Sequence, residues 1–292
     1  MCDDRTIAED MAWLKARGMT RRGFTAAAGA AAVATALPAC TTTTKEGAPL
    51  AEAMVEVPTA DGAADAFFVH PAKGRHPAIL LWPDIGGLRE AFKEASRRLA
   101  AAGYAVLAVN HYYRNAKAPV LPDGLSFRDP KGREILGPMI AALTPEAYAR
   151  DARAYVAWLD AQAAADPSRK VGSVGHCMTG GATIRTAAAV PDRVAAAASF
   201  HGAALVTDKP DSPHLLIPTT KASYLFAIAQ NDDADDPNAK TVLRETADRA
   251  HRQAEIEVYP ARHGWTTLDS SVYDPAQAER AWTRAKALFA TL

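Results

Sequence analysis

The stretch VGSVGHCMTGGAT, residues 171–183, decides the fold of this 292-residue chain. The apolar run at its start predicts a buried strand, small residues surround Cys177, and an alanine-rich segment of helical composition follows. A strand that enters a sharp turn and continues as a helix is typical of a nucleophile elbow, where small neighbours let the reactive side chain project. Gly175 fits the pattern two residues before the cysteine, whereas Thr179 replaces the glycine expected two residues after it.

The surroundings of Cys177 favour a reactive thiol. The chain has three cysteines, and Cys2 and Cys40 both lie in the first 40 residues. A lone cysteine is more often a small buried hydrophobe, but a thiol at the start of a helix is stabilised as the thiolate by the helix dipole and the N–H groups there. The backbone N–H of Met178 would face an oxyanion formed beside it. Ser173 lies inside the strand without a glycine two residues before it, so we do not assign it as the nucleophile.

The rest of the chain alternates between strand and helix patterns. Two short segments on either side of Asp61-Gly62 predict a β-hairpin. Apolar runs predict strands at 78–82, 104–109, 170–174, 195–200, 224–229 and 255–259. Amphipathic or alanine-rich spacing predicts helices at 88–102, 145–165, 178–189, 238–252 and 275–289. The alternation predicts an α/β fold with a mostly parallel central sheet flanked by helices and an N-terminal β-hairpin. Together with the elbow, this order of elements resembles the α/β-hydrolase fold.

One segment interrupts this alternation. Residues 111–144 have mixed composition and contain four prolines. They predict a long, mostly irregular excursion over one end of the sheet. Because ligands of open α/β sheets bind at the carboxyl ends of the strands, the candidate site residues are those that directly follow each strand.

The acid that orients the base should follow a strand, because in α/β-hydrolases the chain order is nucleophile, acid, histidine. The strand at 224–229 is followed by a run of carboxylates. Asp232 and Asp233 both qualify, and Asp232 is preferred. Asp235 and Asp236 lie further from the strand end and are expected to be solvated.

The candidate base is His263, four residues after the strand at 255–259 and directly before Gly264, which allows a tight loop. His201 and His111 each follow a strand as well and are candidates for contact with the substrate. His176 lies inside the elbow, where its ring is expected to pack. No HExxH or similar metal-binding spacing occurs, so we expect neither a metal nor a cofactor.

The loop WPDIGGLRE, residues 82–90, follows an early strand and is expected to supply the second oxyanion donor. Its two adjacent glycines allow close approach of the backbone to a ligand. The backbone N–H of Ile85 is the candidate donor.

Taken together, these motifs resemble the dienelactone hydrolase family over about residues 52–290. The motifs GHCMTGG, WPDIGG, LAAAGYAVLAVNHYYR, QND and HGW occur in the family's order. The resemblance implies a Cys177, His263 and Asp232 triad that hydrolyses an ester or an enol lactone, such as a dienelactone-like carboxymethylenebutenolide, through a thioester acyl-enzyme.

The resemblance also implies roles for two charged residues. Asp84 matches an acidic residue that holds the resting thiol and is displaced when substrate binds, although the best-known members carry the longer Glu there. Arg114 matches a position that can bind a substrate carboxylate. Asn110-His111 replaces the Pro-Asp pair found in many members, and this difference lies where substrate is recognised.

The charge balance bears on partners. Lys plus Arg and Asp plus Glu each number 33, so the formal net charge is zero and no basic face for nucleic acid is indicated. We expect a small-molecule ester or lactone as substrate, no nucleic-acid partner, and a monomer or small homo-oligomer. Two alternatives stay open, namely a general carboxylesterase or thioesterase with an unrelated substrate, and a thiol redox sensor or non-catalytic binding module.

The N-terminal residues 1–40 differ from the rest. Paired arginines at 21–22 precede an alanine-rich stretch, an order that resembles a twin-arginine export signal. Its apolar part is too short to span a bilayer as a helix, so no membrane span is expected. LPAC at 37–40 also resembles a lipoprotein cleavage box, with Cys40 as the residue that would carry a lipid anchor.

These features divide the chain into an export signal at 1–40, a polar linker at 41–51 and an α/β-hydrolase domain at 52–292. An exported, periplasmic protein is expected, with lipid attachment left open. The alternative is an alanine-rich tail on a cytoplasmic protein.

Overall fold

In the computed structural model, which describes residues 42–43 and 49–292, a nine-stranded sheet runs through the molecule in the order β1-β2-β3-β5-β4-β6-β7-β8-β9. The strands are β1 (Thr42–Thr43), β2 (Pro49–Thr59), β3 (Gly62–Pro71), β4 (Ala78–Trp82), β5 (Ala105–Val109), β6 (Val171–His176), β7 (Val194–Phe200), β8 (Ser223–Ala229) and β9 (Ala254–Tyr259). Strands β4 to β9 pair in parallel, and the first three form an antiparallel edge. The predicted mostly parallel sheet and N-terminal hairpin are confirmed. The predicted signal at 1–40 lies outside the described residues.

Helices cover both faces of the sheet. They are α1 (Glu90–Ala101), α2 (Pro130–Ala141), α3 (Pro145–Asp160), α4 (Gly180–Ala189), α5 (Gln230–Asp235), α6 (Ala239–Arg249) and α7 (Pro275–Phe289). One apolar cluster contains Tyr155 of α3, Ile184 of α4 and Leu243 of α6. A second contains Phe92 of α1 and Phe289 of α7. Every residue of β4 and β5 is buried because both of their faces are covered, and this is why these strands are continuous apolar runs.

The folded part begins earlier than residue 52. Strand β2 starts at Pro49, and Leu50 is fully buried against the second apolar cluster. Thr42 and Thr43 pair with Leu50 and Pro49. The prediction of a linker at 41–51 is therefore wrong for the described residues 42–43 and 49–51, which lie in strands. The polar composition of the segment indicated a linker, but the backbone hydrogen bonds of these residues extend the sheet.

The excursion at 111–144 contains a helix that the sequence pattern did not predict. Helix α2 begins with Pro130 in its first turn, where proline is tolerated, and contains Gly132 and Pro138. A Cβ at Gly132 would lie 1.9 Å from the carbonyl oxygen of Ser126, so the helix needs glycine there to pack against the segment that precedes it. Tyr112, Val120 and Leu136 form a small apolar cluster in this segment, and Met178 packs against it. The excursion thus covers the elbow.

Within the described residues, every helix is too short or too polar to cross a membrane.

Candidate active site

The elbow has the strained geometry that its sequence predicts. Strand β6 ends at His176, Cys177 has a φ of +56°, and a single 3₁₀ turn (Cys177–Thr179) leads into α4. A left-handed backbone is uncommon for a residue with a side chain and is concentrated at functional sites. A Cβ at Gly175 would lie 2.4 Å from the carbonyl oxygen of Thr179, so only glycine fits beneath the turn. Cys177 is buried, with 5% of its surface exposed.

Thr179 explains the departure from the two-glycine pattern. Its hydroxyl accepts a hydrogen bond from the backbone N–H of His176 at 3.1 Å and lies 3.0 and 2.9 Å from the carbonyl oxygens of Trp82 and Pro83. The side chain is fully buried. It therefore ties the elbow to the end of β4. The close backbone contact shifts to Gly180, where a Cβ would lie 2.5 Å from Cα of Gly202.

The candidate base and acid are hydrogen-bonded to each other. His263 Nδ1 lies 2.7 Å from Asp232 Oδ2, and the His263 side chain is 6% exposed. The side chain of Asn231 accepts a hydrogen bond from the His263 backbone N–H at 2.8 Å. Asp233 instead pairs with Lys240 at 2.6 Å. Of the two aspartates left open by the sequence, Asp232 is the one that contacts His263.

His201 brings the nucleophile and the base together. The Cys177 backbone N–H donates to His201 Nδ1 at 3.1 Å. The imidazole rings of His201 and His263 meet edge to face with centroids 4.9 Å apart. Cys177, at the end of β6, and His263, after β9, therefore lie in one buried cluster around His201.

The predicted oxyanion loop is held by its own polar contacts. The Tyr112 hydroxyl donates to the carbonyl oxygen of Ile85 at 2.9 Å, and the backbone N–H of Gly87 donates to that of Asp84 at 2.9 Å. Met178 is half-buried beside the excursion. The oxyanion role of the Met178 and Ile85 N–H groups stays a prediction.

Asp84 is engaged by Arg89. Its two carboxylate oxygens accept hydrogen bonds from Arg89 at 2.6 and 3.0 Å, and the Gly86 backbone N–H donates to it at 2.8 Å. Burial acts in the opposite direction, but the pairing with Arg89 still holds the pKa of Asp84 below its ordinary value. Arg89 also contacts Asp269 at 2.7 Å and so joins this loop to the one that carries His263. The contact of Asp84 with the resting thiol stays a prediction.

Arg114 is occupied by two carboxylates of the protein. Its guanidinium donates to Asp61 at 2.6 and 2.9 Å and to Asp151 at 2.7 and 2.8 Å. Asp151 is 1% exposed, so withdrawing the arginine would leave a buried carboxylate without its counter-charge. In this structure Arg114 fixes the chain after β5 to α3, and its binding of a substrate carboxylate stays a prediction.

Two further histidines are buried and kept neutral. Burial lowers the pKa of His111 to about 3 and that of His176 to about 4. The His176 ring packs between Phe92 and Phe200, as predicted. Among the described residues, neither ring nitrogen of His111 has a hydrogen-bond partner, and its ring lies 4.1 Å from that of Tyr112.

Because the pKa of the buried His111 is lowered, we expect this residue to make the stability of the fold sensitive to acid. In the unfolded chain His111 binds a proton below about pH 6.5, whereas in the folded protein it stays unprotonated down to about pH 3. The free energy of unfolding must therefore fall as the pH drops through this window. The slope is at most about 1.4 kcal/mol per pH unit for one histidine. We expect His111→Phe, which keeps the ring and removes the titration, to reduce the loss of stability between pH 7 and pH 5 in urea titrations. His251→Asn at an exposed position is the control. An unchanged slope in His111→Phe would refute this account of His111.

Three positioning contacts were not predicted from the sequence. Asn231 lies inside the QND motif and holds the His263 backbone. Thr266 contacts His201, and Asp269 contacts Arg89. Asn231 is adjacent to Asp232, whereas Thr266 and Asp269 lie three and six residues after His263 in the same loop. Their polar side chains near a candidate acid and a candidate base were the available signal.

Known proteins resemble this chain over most of its length. The family model described as the dienelactone hydrolase family matches residues 64–292. A Synechocystis protein named as a carboxymethylenebutenolidase is 26% identical to this chain over 243 residues, which cover 82% of this chain and 96% of the relative. A Methylorubrum extorquens protein, also named as a carboxymethylenebutenolidase, is 27% identical over 80% of this chain and 79% of the relative.

Solved structures share the fold. A Klebsiella pneumoniae crystal structure named for dienelactone hydrolase superposes with a TM-score of 0.71 at 22% identity, covering 83% of this chain and 99% of the other. A dienelactone hydrolase-like promiscuous phosphotriesterase from metagenomic libraries superposes with a TM-score of 0.67 at 23% identity, covering 84% and 98%. The chain therefore belongs to the dienelactone hydrolase family and is a hydrolase with the α/β-hydrolase fold.

Proposed function

We propose that this protein hydrolyses carboxylic esters, enol lactones included, with Cys177 as the nucleophile, His263 as the base and Asp232 as the acid that orients it. The proposal rests above all on one arrangement, in which the buried His263–Asp232 hydrogen bond of 2.7 Å lies in the same cluster as the left-handed Cys177. A nucleophile, a base and an orienter in this chain order are the requirements of covalent acyl transfer.

The reaction would proceed in two steps. The Cys177 thiolate attacks the ester carbonyl carbon, the bond to the leaving oxygen breaks, and the acyl group remains on sulfur as a thioester. The backbone N–H groups of Met178 and Ile85 stabilise the oxyanion. His263 then removes a proton from water as the water oxygen attacks the thioester, and the C–S bond breaks to release the carboxylic acid and the thiolate. His263 becomes neutral again by giving this proton to the oxygen that left in the first step. Asp232, at Nδ1 of His263, fixes the tautomer that leaves Nε2 for this proton transfer.

The nucleophile limits the choice of ester. In the tetrahedral intermediate a thiolate leaves more readily than an alkoxide, so attack on a simple alkyl ester mostly reverses. When the leaving group of the ester is a stabilised enolate or phenolate, that group departs in competition with the thiolate. Enol lactones meet this condition, and the names of the curated relatives point to the same class.

The state of Arg114 supports a second candidate, a carboxylesterase or thioesterase whose substrate carries no carboxylate. The position that would bind a substrate carboxylate in a dienelactone is engaged by Asp61 and Asp151. Reaction with a neutral ester needs no rearrangement of that network. The two candidates share the mechanism and differ only in the substrate.

Rates on a small set of substrates test both candidates. The full chain would be assayed with a carboxymethylenebutenolide, with p-nitrophenyl butyrate, with a butyryl thioester and with ethyl butyrate. We expect kcat/KM on the order of 10⁴ M⁻¹s⁻¹ or more for the best substrate with a good leaving group, and at least about tenfold less for ethyl butyrate. A higher rate on the lactone than on the nitrophenyl ester favours the first candidate, and the reverse favours the second. Folded protein that hydrolyses none of the activated esters would contradict the proposed function.

A further inference from the structure

The loop that follows β7 holds both backbone groups of the candidate nucleophile. The Cys177 N–H donates to His201 Nδ1 at 3.1 Å, and the Cys177 carbonyl oxygen accepts from the Ala203 N–H at 3.0 Å. Gly202 lies between these two residues and packs so closely on the elbow that a Cβ at Gly180 would lie 2.5 Å from its Cα. A buried backbone N–H needs a partner, and here a side chain provides it at the strained residue of the turn.

The hydrogen bonds of His201 fix its tautomer. A backbone N–H can only donate, so Nδ1 of His201 must be an acceptor without a proton. The proton is then on Nε2, which donates to Thr266 Oγ1 at 2.9 Å. Thr266 lies three residues after His263 in the same loop. One imidazole therefore connects the nucleophile to the loop that carries the base.

The surroundings of His201 keep it neutral. The residue is 1% exposed, and its ring meets the rings of His263 and Trp265 at centroid distances of 4.9 and 5.2 Å. Burial, followed by the proximity of His263 and His176, lowers the pKa of His201 well below its ordinary value. A protonated ring would direct a second N–H at the N–H of Cys177 and would place positive charge beside His263.

We propose that His201 is a positioning residue that holds the Cys177 elbow against the His263 loop through its neutral Nε2–H tautomer. This inference rests on the proposed function of Cys177 and His263. It differs from contact with the substrate, the role that the position of His201 after β7 predicted, because both ring nitrogens are used by the protein. The effect on the reaction passes through the placement of the thiol relative to the base.

Two variants of His201 separate positioning from packing. His201→Phe keeps a ring and removes both hydrogen bonds, whereas His201→Asn places an amide oxygen near the position of Nδ1 and restores the acceptor for the Cys177 N–H. We expect kcat on p-nitrophenyl butyrate to fall by about 10²-fold in His201→Phe with KM changed by no more than about threefold. His201→Asn should recover about tenfold of that loss.

A second readout does not require turnover. The rate of Cys177 alkylation by iodoacetamide, measured against pH, reports how well the thiolate is stabilised. In His201→Phe the midpoint of this profile should move up by about one pH unit, because the proposed function needs the Cys177 thiol held near His263 and the variant loses the hydrogen bonds that hold the elbow there. If wild-type protein lacks turnover but this shift occurs, the proposed function fails and the positioning role stands. Turnover and alkylation profiles in His201→Phe that match the wild type would overturn the inference.

Thr266, which His201 contacts, and its neighbour Thr267 offer a matched pair of variants. Thr266→Val removes the acceptor of the His201 Nε2–H, whereas Thr267→Val removes a neighbouring buried hydroxyl that has no hydrogen-bond partner among the described residues. We expect kcat to fall by about fivefold to tenfold in Thr266→Val and to stay at the wild-type value in Thr267→Val. Equal values in the two variants would overturn the inference even if His201→Phe does not fold.

Discussion

Replacing Cys177 with alanine is expected to lower kcat/KM for p-nitrophenyl butyrate by at least about 10⁴-fold. The substitution removes the atom that forms the acyl-enzyme, and the residual rate then depends only on binding and on oxyanion stabilisation. The left-handed backbone tolerates alanine no worse than cysteine, so the fold should persist. Steady-state rates and a thermal melt of the same preparation check both statements.

Ser173 provides the control for this prediction. It lies four residues before Cys177, is fully buried, and carries a hydroxyl within β6 that could be mistaken for a nucleophile. Ser173→Ala should retain a rate within about twofold of the wild type, as expected of a substitution away from the site. A Cys177→Ala variant that keeps a tenth of the activity, or a Ser173→Ala variant that loses it, would contradict the assignment.

Asp232→Asn is expected to produce the second large loss, about 10³-fold to 10⁴-fold in kcat. The amide keeps the shape of the side chain but can donate to His263 Nδ1, so it stabilises the wrong tautomer of the base. The neighbouring Asp233 pairs with Lys240 instead. Asp233→Asn should therefore leave kcat within about twofold of the wild type.

The comparison of these two aspartates is informative because they are chemically identical neighbours. A loss in Asp233→Asn as large as that in Asp232→Asn would show that the run of carboxylates acts as a whole. A loss in neither variant would remove the orienting acid from the proposed mechanism.

The elbow and the order of strands could be predicted because both are local. An apolar run, a cluster of small residues and an alanine-rich segment occur within the nineteen residues 171–189, and their meaning does not depend on the rest of the chain. The choice between Asp232 and Asp233 could not be made in this way. Both lie in helix α5, where successive side chains point about 100° apart, so only the position of the helix decides which one meets His263.

Long-range pairing explains the other differences. Arg114 is bound by Asp61 and Asp151, which lie 53 and 37 residues away along the chain, and no local pattern indicates such partners. Helix α2 was missed because Gly132 and Pro138 indicate a break, whereas the close approach of Ser126 requires the glycine. The role of His201 depends on a nitrogen–backbone contact across 24 residues. The sequence could place this histidine at the right edge of the sheet but could not identify its partner.

The most direct test of the central claim is mass spectrometry of the acyl-enzyme. A His263→Ala variant of the full chain, mixed with p-nitrophenyl butyrate and quenched in acid, should accumulate one butyryl group because water is no longer activated to release it. The account predicts that this group is found on the peptide containing Cys177, is released by hydroxylamine as a thioester, and is absent from the Cys177→Ala variant. Burst release of p-nitrophenol with the butyryl group on another residue, or wild-type turnover with no adduct on Cys177 in any variant, would contradict it.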